Sequence, residues 1–223
     1  MTASDAYVTE PLPTAGPTTV FVVRHGEPTQ GSNIDPALSD AGNQQAERLA
    51  EWLMPEWPAA VYASTMRRAV QTAEPLARRL GVEVRQLVGL REGVSMRTHY
   101  VKPNDLAHAD QGHAFAKARF DDFIPEHDRV DLPAAMLSAL RDVGAAHPGQ
   151  KVVVVSHGGG LNTLLAHANG APRVLFVNPG YAAFSRLQVW PDGRLVIASV
   201  NEAAHLDPER IRVYLDHVRE GMA

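Results

Sequence analysis

Three short polar segments of this sequence combine residue types that can bind and attack an anion. The first is Arg24–His25–Gly26–Glu27, which directly follows the β-branched and aromatic run of residues 18–23. An arginine guanidinium presents planar, paired donors that fit the oxygens of a phosphate or carboxylate. A neutral imidazole can attack as a nucleophile, and a nearby carboxylic acid can donate a proton. The segment therefore indicates anion chemistry at the end of a buried strand.

The other two segments also come directly after short, largely apolar runs. Ser64 is followed by Arg67 and Arg68, and Ser156–His157–Gly158–Gly159 comes after four consecutive valines. Glycines at the start of a helix let backbone amides approach an anion, and the helix dipole adds positive charge there. Taken together, these groups form a cationic site suited to phosphoryl transfer, which requires positioning and compensation of negative charge.

The composition argues against several other chemistries. The 223-residue chain contains no cysteine, which excludes disulfides, cysteine nucleophiles and thiolate metal sites, and it has no GxxxxGK[ST] loop for a nucleoside triphosphate. The formal net charge of −4 leaves no basic excess for nucleic acid or an anionic membrane. We find neither a signal peptide nor a membrane-spanning run, and we therefore expect a soluble, cytoplasmic protein.

The elements that must position the polar segments alternate between strand and helix. Predicted strands cover residues 18–24, 60–64, 82–88 and 151–157, and predicted helices cover about 40–53, 65–80, 131–147 and 158–170. This alternation predicts an α/β fold, namely a three-layer α-β-α sandwich with a mostly parallel sheet. Two further strands flank Pro191–Asp192–Gly193 and are predicted to form a hairpin at the sheet edge. Ligands bind beyond the carboxyl ends of parallel strands, so the three polar segments are expected to meet on one rim.

The remaining segments are less regular. Residues 1–17 are rich in proline and are predicted to be an extended or disordered lead-in to a single domain that spans residues 18–223. Residues 93–130 show no strong period, and we predict an insertion over the active site. A final helix is expected at about 208–218, and the apolar residues 174–176 are a candidate homodimer contact.

Three of the four histidines in the insertion invite interpretation as metal ligands. These residues, His99, His108 and His113, are irregularly spaced and lack an ordered set of accompanying carboxylates. This pattern is more typical of scattered surface histidines. We therefore predict neither a metal nor any other cofactor.

Four ordered motifs resemble those of the histidine phosphatase superfamily, the phosphoglycerate mutase-like proteins. "VVRHGE" (22–27) resembles the family signature, and "LSDAGNQQAERLA" (38–50) resembles its LTxxGxxQAxxLA helix. "ASTMRRAVQTAEPLA" (63–77) and "VVVSHGGGLNTLL" (153–165) resemble its SxLxRAxQTAxxLA and VxHGGxIxxLL stretches. "NEAAHL" (201–206) is similar to the closing segment of several members. Together, the motifs span most of residues 18–206.

The resemblance implies a role for each residue of the cationic set. His25 would be the nucleophile that becomes phosphorylated, and His157 would be a further donor to the phosphoryl oxygens. Arg24 and Arg68 would hold those oxygens. Arg68 is preferred to Arg67 because the residues that follow it match the RAxxTA pattern.

The proton donor and one phosphate contact are less well matched. In the family the donor is usually a glutamate in an LxE element after the third strand, which here is Glu92, while Glu27 competes for the role. The family often has threonine directly after RHGE and asparagine three residues later. Here Pro28 intervenes, and the nearest asparagine is Asn33, displaced by two positions. Asn33 is therefore a candidate phosphate contact.

The resemblance predicts a metal-independent phosphatase that hydrolyses phosphomonoesters through a phosphohistidine on His25. The expected partner is a small-molecule phosphomonoester, without nucleic acid or membrane. A phosphoglycerate mutase-type phosphoryl transfer remains an alternative, although residues 89–130 lack an Arg-Arg-Ser-Tyr-like substrate segment. A non-catalytic phospholigand-binding or protein-binding module on the same fold is the other alternative, against which the intact set of two histidines and two arginines argues.

Overall fold

The computed structural model of the chain describes residues 16–29, 35–91, 132–170 and 177–206. Within these ranges, strands and α-helices follow one another in the predicted order. The strands are β1 (Thr18–Arg24), β2 (Ala60–Ser64), β3 (Val84–Leu87), β4 (Lys151–Ser156), β5 (Phe184–Val189) and β6 (Leu195–Glu202). The α-helices are α1 (Asp40–Leu53), α2 (Arg67–Leu80), α3 (Leu132–Ala146) and α4 (Gly158–Asn169).

The six strands form one mixed sheet in the order β3-β2-β4-β1-β5-β6. The pairs β3–β2, β2–β4 and β4–β1 are parallel, whereas β5 is antiparallel to both β1 and β6. The predicted hairpin therefore occupies one edge of the sheet. In the register of the central pair, Arg24 of β1 lies opposite Ser156 of β4. The carboxyl ends of β1, β2 and β4 thus bring the three polar segments to the same rim.

Different helices cover the two faces of the sheet. Along β1, Val20 and Val22 belong to an apolar cluster with residues of α3 and α4. The intervening Phe21 and Val23 belong to a second cluster with residues of α1 and α2. Successive side chains of a strand point to opposite faces, so an uninterrupted apolar strand has to be buried on both sides. This arrangement confirms the predicted α/β fold, with a layer of helices on each face.

Local capping interactions set the helix boundaries. Helix α1 begins after Ser39, whose Oγ accepts a hydrogen bond from Gly42 N at 3.1 Å. Helix α2 begins two residues later than predicted, because Met66 is extended and its N–H donates to Ser64 Oγ at 3.2 Å. Gly81 ends α2 with a φ of +70°, a left-handed conformation that glycine adopts without strain.

The predicted third strand is shorter than expected. It ends at Leu87 because Val88–Leu90 turns into a short 3₁₀-helix. The buried Leu90 belongs to the apolar cluster of α3 and α4, and its carbonyl oxygen accepts a hydrogen bond from Ser156 Oγ at 2.9 Å. This turn carries the chain back over the rim of the sheet.

Several predictions lie outside the described residues. These are the lead-in up to residue 15, the insertion at 93–130, the candidate dimer contact at 174–176 and the final helix at 208–218. Among the residues that are described, no helix is long and apolar enough to cross a membrane.

Candidate active site

The backbone of the RHGE segment is hydrogen-bonded from both sides at the end of β1. On the side of β5, Arg24 N donates to Ala183 O at 2.9 Å and His25 O accepts from Ala182 N at 3.2 Å. On the side of β4, His25 N donates to Ser156 O at 2.9 Å. The central position of β1 explains this environment, because its neighbours β4 and β5 both extend to the rim. The position of the His25 backbone is therefore defined by three strands.

The His25 imidazole is 1% exposed, and its two nitrogens have different partners. Nδ1 lies 2.7 Å from Gly26 O, and Nε2 lies 3.1 Å from Arg68 Nε. A carbonyl oxygen only accepts and a guanidinium N–H only donates. Nδ1 must therefore carry the proton, and Nε2 must present its lone pair.

Burial is the largest influence on the protonation of His25. It lowers the pKa of this imidazole well below the usual histidine value, and the positive charges of Arg68, His157 and Arg24 lower it further. The hydrogen bond from Nδ1 to Gly26 O acts in the opposite direction and raises the pKa. Because the net shift is downward, the ring is neutral at physiological pH, the state in which a histidine can act as a nucleophile.

Arg68 is a fully buried cation at the start of α2. It is 1% exposed, and its Nη1 lies 3.6 Å from Asp35 Oδ1. Asp35 also accepts hydrogen bonds from Arg67 N at 2.9 and 3.1 Å, so this carboxylate caps α2 as well as contacting Arg68. A buried charge needs such partners, because its desolvation is otherwise costly. Sequence reasoning missed Asp35; its signal was an acidic residue shortly before the LSDAG motif.

His157 comes from the end of β4 and is fully buried. Its Nε2 lies 2.9 Å from Ser64 Oγ, and its ring centroid lies 5.1 Å from that of His25. Helix α4 begins at the next residue, Gly158. The second histidine, the hydroxyl at the end of β2 and a helix N-terminus thus converge beside His25.

Arg24 lies between the start of α4 and the turn of residues 179–183. Its Nη1 donates to Pro179 O at 2.5 Å, and its Cζ lies 4.0 Å from the centroid of the Tyr181 ring. A Cβ atom added at Gly158 would come within 3.5 Å of Arg24 Nε. Sequence reasoning assigned no role to Tyr181, because a single tyrosine in an unassigned loop gives no signal.

Close backbone contacts attach the RHGE segment to α1 and α2. Gly26 N donates to Thr72 Oγ1 at 2.9 Å, and Pro28 forms an antiparallel bridge with Leu38. The bridge brings Glu27 O within 2.8 Å of Ser39 N, at the start of α1. The proline that departs from the family pattern is therefore part of the packing between this segment and α1.

The two candidate proton donors differ in what the structure describes. Glu27 Oε1 accepts from Ser39 Oγ at 3.2 Å, which places its carboxylate at the cap of α1. Glu92 lies outside the described residues, as do Asn33 and the histidines of the insertion. The second described range ends at Arg91, one residue after the Leu90 carbonyl that accepts from Ser156.

The described residues place a neutral imidazole in a strongly cationic setting. The Arg68 guanidinium lies 3.1 Å from Nε2 of His25, the His157 ring lies beside the His25 ring, and the positive charge of Arg24 also acts on this imidazole. Such a set can bind a phosphoryl dianion and compensate the charge that develops on its oxygens. Within the described ranges, no three histidine, aspartate or glutamate side chains are grouped so that they could hold a metal ion.

Comparison with known proteins agrees with this geometry. A family model described as the histidine phosphatase superfamily (branch 1) matches residues 20–202. Phosphoglycerate mutase-like protein 4 of Arabidopsis thaliana is 30% identical over 200 residues, covering 78% of this chain and 84% of that protein. The metal-independent phosphoserine phosphatase of the same plant is 29% identical over 204 residues, covering 85% of this chain and 83% of that protein.

A solved structure gives the same result for the fold. A mycobacterial glucosyl-3-phosphoglycerate phosphatase in complex with VO3 is 25% identical, with a TM-score of 0.66, and the match covers 83% of this chain and 99% of that chain. The family model extends from the middle of β1 to the end of β6 and includes all four of the ordered motifs. The chain therefore belongs to the histidine phosphatase superfamily.

Proposed function

We propose that this protein is a metal-independent phosphomonoesterase that transfers the phosphoryl group of its substrate to His25 Nε2 and then to water. The observation that carries the proposal is the tautomer of His25. Nδ1–H is directed to Gly26 O, and Nε2 presents its lone pair beside the Arg68 guanidinium. The attacking atom, Nε2, thus lies 3.1 Å from Nε of Arg68, the first cation that would meet the phosphoryl oxygens.

In the first half-reaction, Nε2 attacks phosphorus and the bond from phosphorus to the leaving oxygen breaks. Arg24 and Arg68 hold the non-bridging oxygens and balance the dianion, and His157 and the first amides of α4 add donors. These cationic groups supply the charge compensation that a metal ion supplies in other phosphatases. In the second half-reaction, water attacks the phosphohistidine and gives a proton back to the carboxylate that protonated the leaving oxygen, and the imidazole leaves as the neutral ring.

Proton transfer to the leaving oxygen requires an acid, and Glu92 is our choice over Glu27. The carbonyl of Leu90 is fixed to Ser156 at the same rim as His157, and Glu92 is only two residues further along the chain. We choose Glu92 because Leu90–Arg91–Glu92 fits the LxE element that usually carries the acid in the family. Glu27, in contrast, contacts the cap of α1. Replacement of each acid by glutamine tests this choice, and a larger fall in kcat for Glu27→Gln would reverse it.

The central test compares His25→Gln with a matched histidine variant, His167→Gln, at an exposed position in the last turn of α4. With p-nitrophenyl phosphate, we expect His25→Gln to lose at least about 10³-fold in kcat/KM, the scale for removal of a covalent catalyst. His167→Gln should retain wild-type activity. Full activity of His25→Gln would rule out His25 as the nucleophile, whereas no turnover by the wild-type protein would favour the non-catalytic phospholigand-binding module.

Two further measurements address the mechanism. Wild-type protein quenched during turnover should carry an acid-labile phosphoryl group on the peptide that contains His25. Activity should be unchanged by EDTA and inhibited by vanadate, because one relative is a metal-independent phosphoserine phosphatase and another relative has been solved in complex with VO3. Loss of activity with EDTA would contradict the metal-independent mechanism.

Mutase activity is a second candidate, because one relative is named a phosphoglycerate mutase-like protein. A mutase must return the phosphoryl group from the histidine to its product before water reaches it. Incubation with 3-phosphoglycerate, with and without 2,3-bisphosphoglycerate, separates the two activities. Release of inorganic phosphate supports the phosphatase, whereas rapid formation of 2-phosphoglycerate would support the mutase.

A further inference from the structure

The turn of residues 179–183 contacts the RHGE segment, although no residue of this turn has a role in the proposed mechanism. Its Pro179 carbonyl accepts from Arg24 Nη1 at 2.5 Å, and its Tyr181 ring lies 4.0 Å from Arg24 Cζ. The same ring centroid is 5.7 Å from that of His25. Tyr181 therefore contacts both residues that our proposed mechanism places on the phosphoryl group.

The backbone of this turn is itself held in place by the end of β6. Gly180 N donates to Asn201 Oδ1 at 3.0 Å, and His205 Nε2 lies 3.0 Å from Ala182 O. Ala182 has a φ of +57°, an unfavourable conformation for a residue with a Cβ atom. Such a conformation persists only where surrounding contacts enforce it. The "NEAAHL" motif, which supplies Asn201 and His205, thus fixes the position of Tyr181.

A free arginine side chain has many rotamers, and binding a phosphate requires one of them. Arg24 is confined by the Tyr181 ring, by the Pro179 carbonyl and by Gly158 at the start of α4. An aromatic face attracts a guanidinium electrostatically without using its N–H donors. The ring can therefore orient Arg24 without itself occupying an N–H donor.

We propose that Tyr181 is a positioning residue that holds the Arg24 guanidinium for phosphoryl binding, and that its aromatic ring rather than its hydroxyl performs this role. The hydroxyl oxygen is buried and makes no hydrogen bond to any described residue. Removal of this oxygen should therefore leave the interaction with Arg24 intact. The inference rests on the proposed function only in that Arg24 is taken to bind the phosphoryl group.

The test compares Tyr181→Phe, which keeps the ring, with Tyr181→Leu, which removes it. The full chain is titrated with inorganic phosphate by calorimetry, and kcat/KM is measured with p-nitrophenyl phosphate. We expect Tyr181→Phe to remain within about threefold of wild type and Tyr181→Leu to weaken phosphate binding by about tenfold, the range of a cation–π contact. In an Arg24→Ala background, Tyr181→Leu should have no further effect.

Trp190→Leu is the matched control, because it removes the aromatic partner of Arg194 at the far end of β5 and should leave phosphate binding unchanged. If Tyr181→Leu unfolds, Tyr181→Met takes its place. An equal loss for Tyr181→Phe and Tyr181→Leu would assign the role to the hydroxyl and overturn the proposal, and so would a tenfold loss that persists without Arg24.

The calorimetric titration separates this inference from the proposed function. A protein that binds phosphate, shows the expected dependence on Tyr181 and Arg24, and hydrolyses no phosphomonoester would refute the proposed function alone. A protein that hydrolyses phosphomonoesters through His25 but binds phosphate equally well with leucine at position 181 would refute the positioning role alone.

Discussion

The packing of α1 against the RHGE segment depends on two glycines, and their replacement gives a graded test. A Cβ atom at Gly26 would lie 2.8 Å from Gly42 O, and one at Gly42 would lie 2.1 Å from Glu27 O. Relative to an ordinary contact of 3.4 Å, these distances fall short by about 0.6 and about 1.3 Å. Both neighbours are backbone atoms, so relief requires a shift of the segment or of the helix.

The expected effects follow from these shortfalls. Overpacking of this kind costs about 1–3 kcal/mol, which lowers the Tm of a chain of this size by roughly 2–4 °C per kcal/mol. We expect the loss of stability to lie within roughly 1–3 kcal/mol for Gly26→Ala and at or above the upper end of that range for Gly42→Ala. Misplacement of a catalytic group by about 1 Å costs about 10²-fold in rate. We therefore expect kcat/KM to fall about tenfold for Gly26→Ala and about a hundredfold for Gly42→Ala.

The assay is thermal unfolding together with kcat/KM for p-nitrophenyl phosphate. Gly16→Ala is the matched control, since a Cβ atom there would meet nothing within 4 Å, and it should change neither quantity. Helix propensity alone would make Gly42→Ala more stable than wild type by up to about 1 kcal/mol. A stable, fully active Gly42→Ala, or a greater loss for Gly26→Ala than for Gly42→Ala, would refute the packing argument.

Two further predictions concern the histidines. Because burial lowers the pKa of His25, an NMR titration should show its imidazole still neutral at a pH equal to the ordinary histidine pKa of about 6.5. A titration midpoint at or above that pH would contradict the assignment. Ser64→Ala removes the hydrogen-bond partner of His157 Nε2 and of Met66 N. We therefore expect kcat/KM to fall about tenfold and the free energy of unfolding to fall by about 1–3 kcal/mol. Wild-type values for both quantities would show that neither hydrogen bond matters.

Much of the scaffold could be predicted because its signals are local. The apolar runs of β1 and β4, the helical spacing in α1 and α2, and the glycine that ends α2 each reflect the backbone or burial preference of a few consecutive residues. The third strand is the instructive exception. Val88 continues its apolar pattern, but the chain turns there so that Leu90 can enter the core formed with α3 and α4. This tertiary preference is not visible in the strand itself.

The candidate site could be predicted only in part, for the same reason. His25 and His157 follow strands whose ends must meet at one rim, so their proximity follows from the order of elements. The contacts of Asp35 with Arg68 and of Tyr181 with Arg24 join segments separated by tens of residues and depend on the side-chain geometry of loops. No periodicity or turn signal records such pairings.

The location of His25 on the central strand limits how the protein can move during turnover. Its amide and carbonyl are bonded to Ser156 and Ala182, and the preceding amide of Arg24 is bonded to Ala183. These bonds hold the backbone at the residue that we propose as the nucleophile. In the proposed cycle, adjustment between phosphoryl capture and release would come from side-chain torsions, from the departing group or from other segments of the chain, with the histidine backbone as the fixed point.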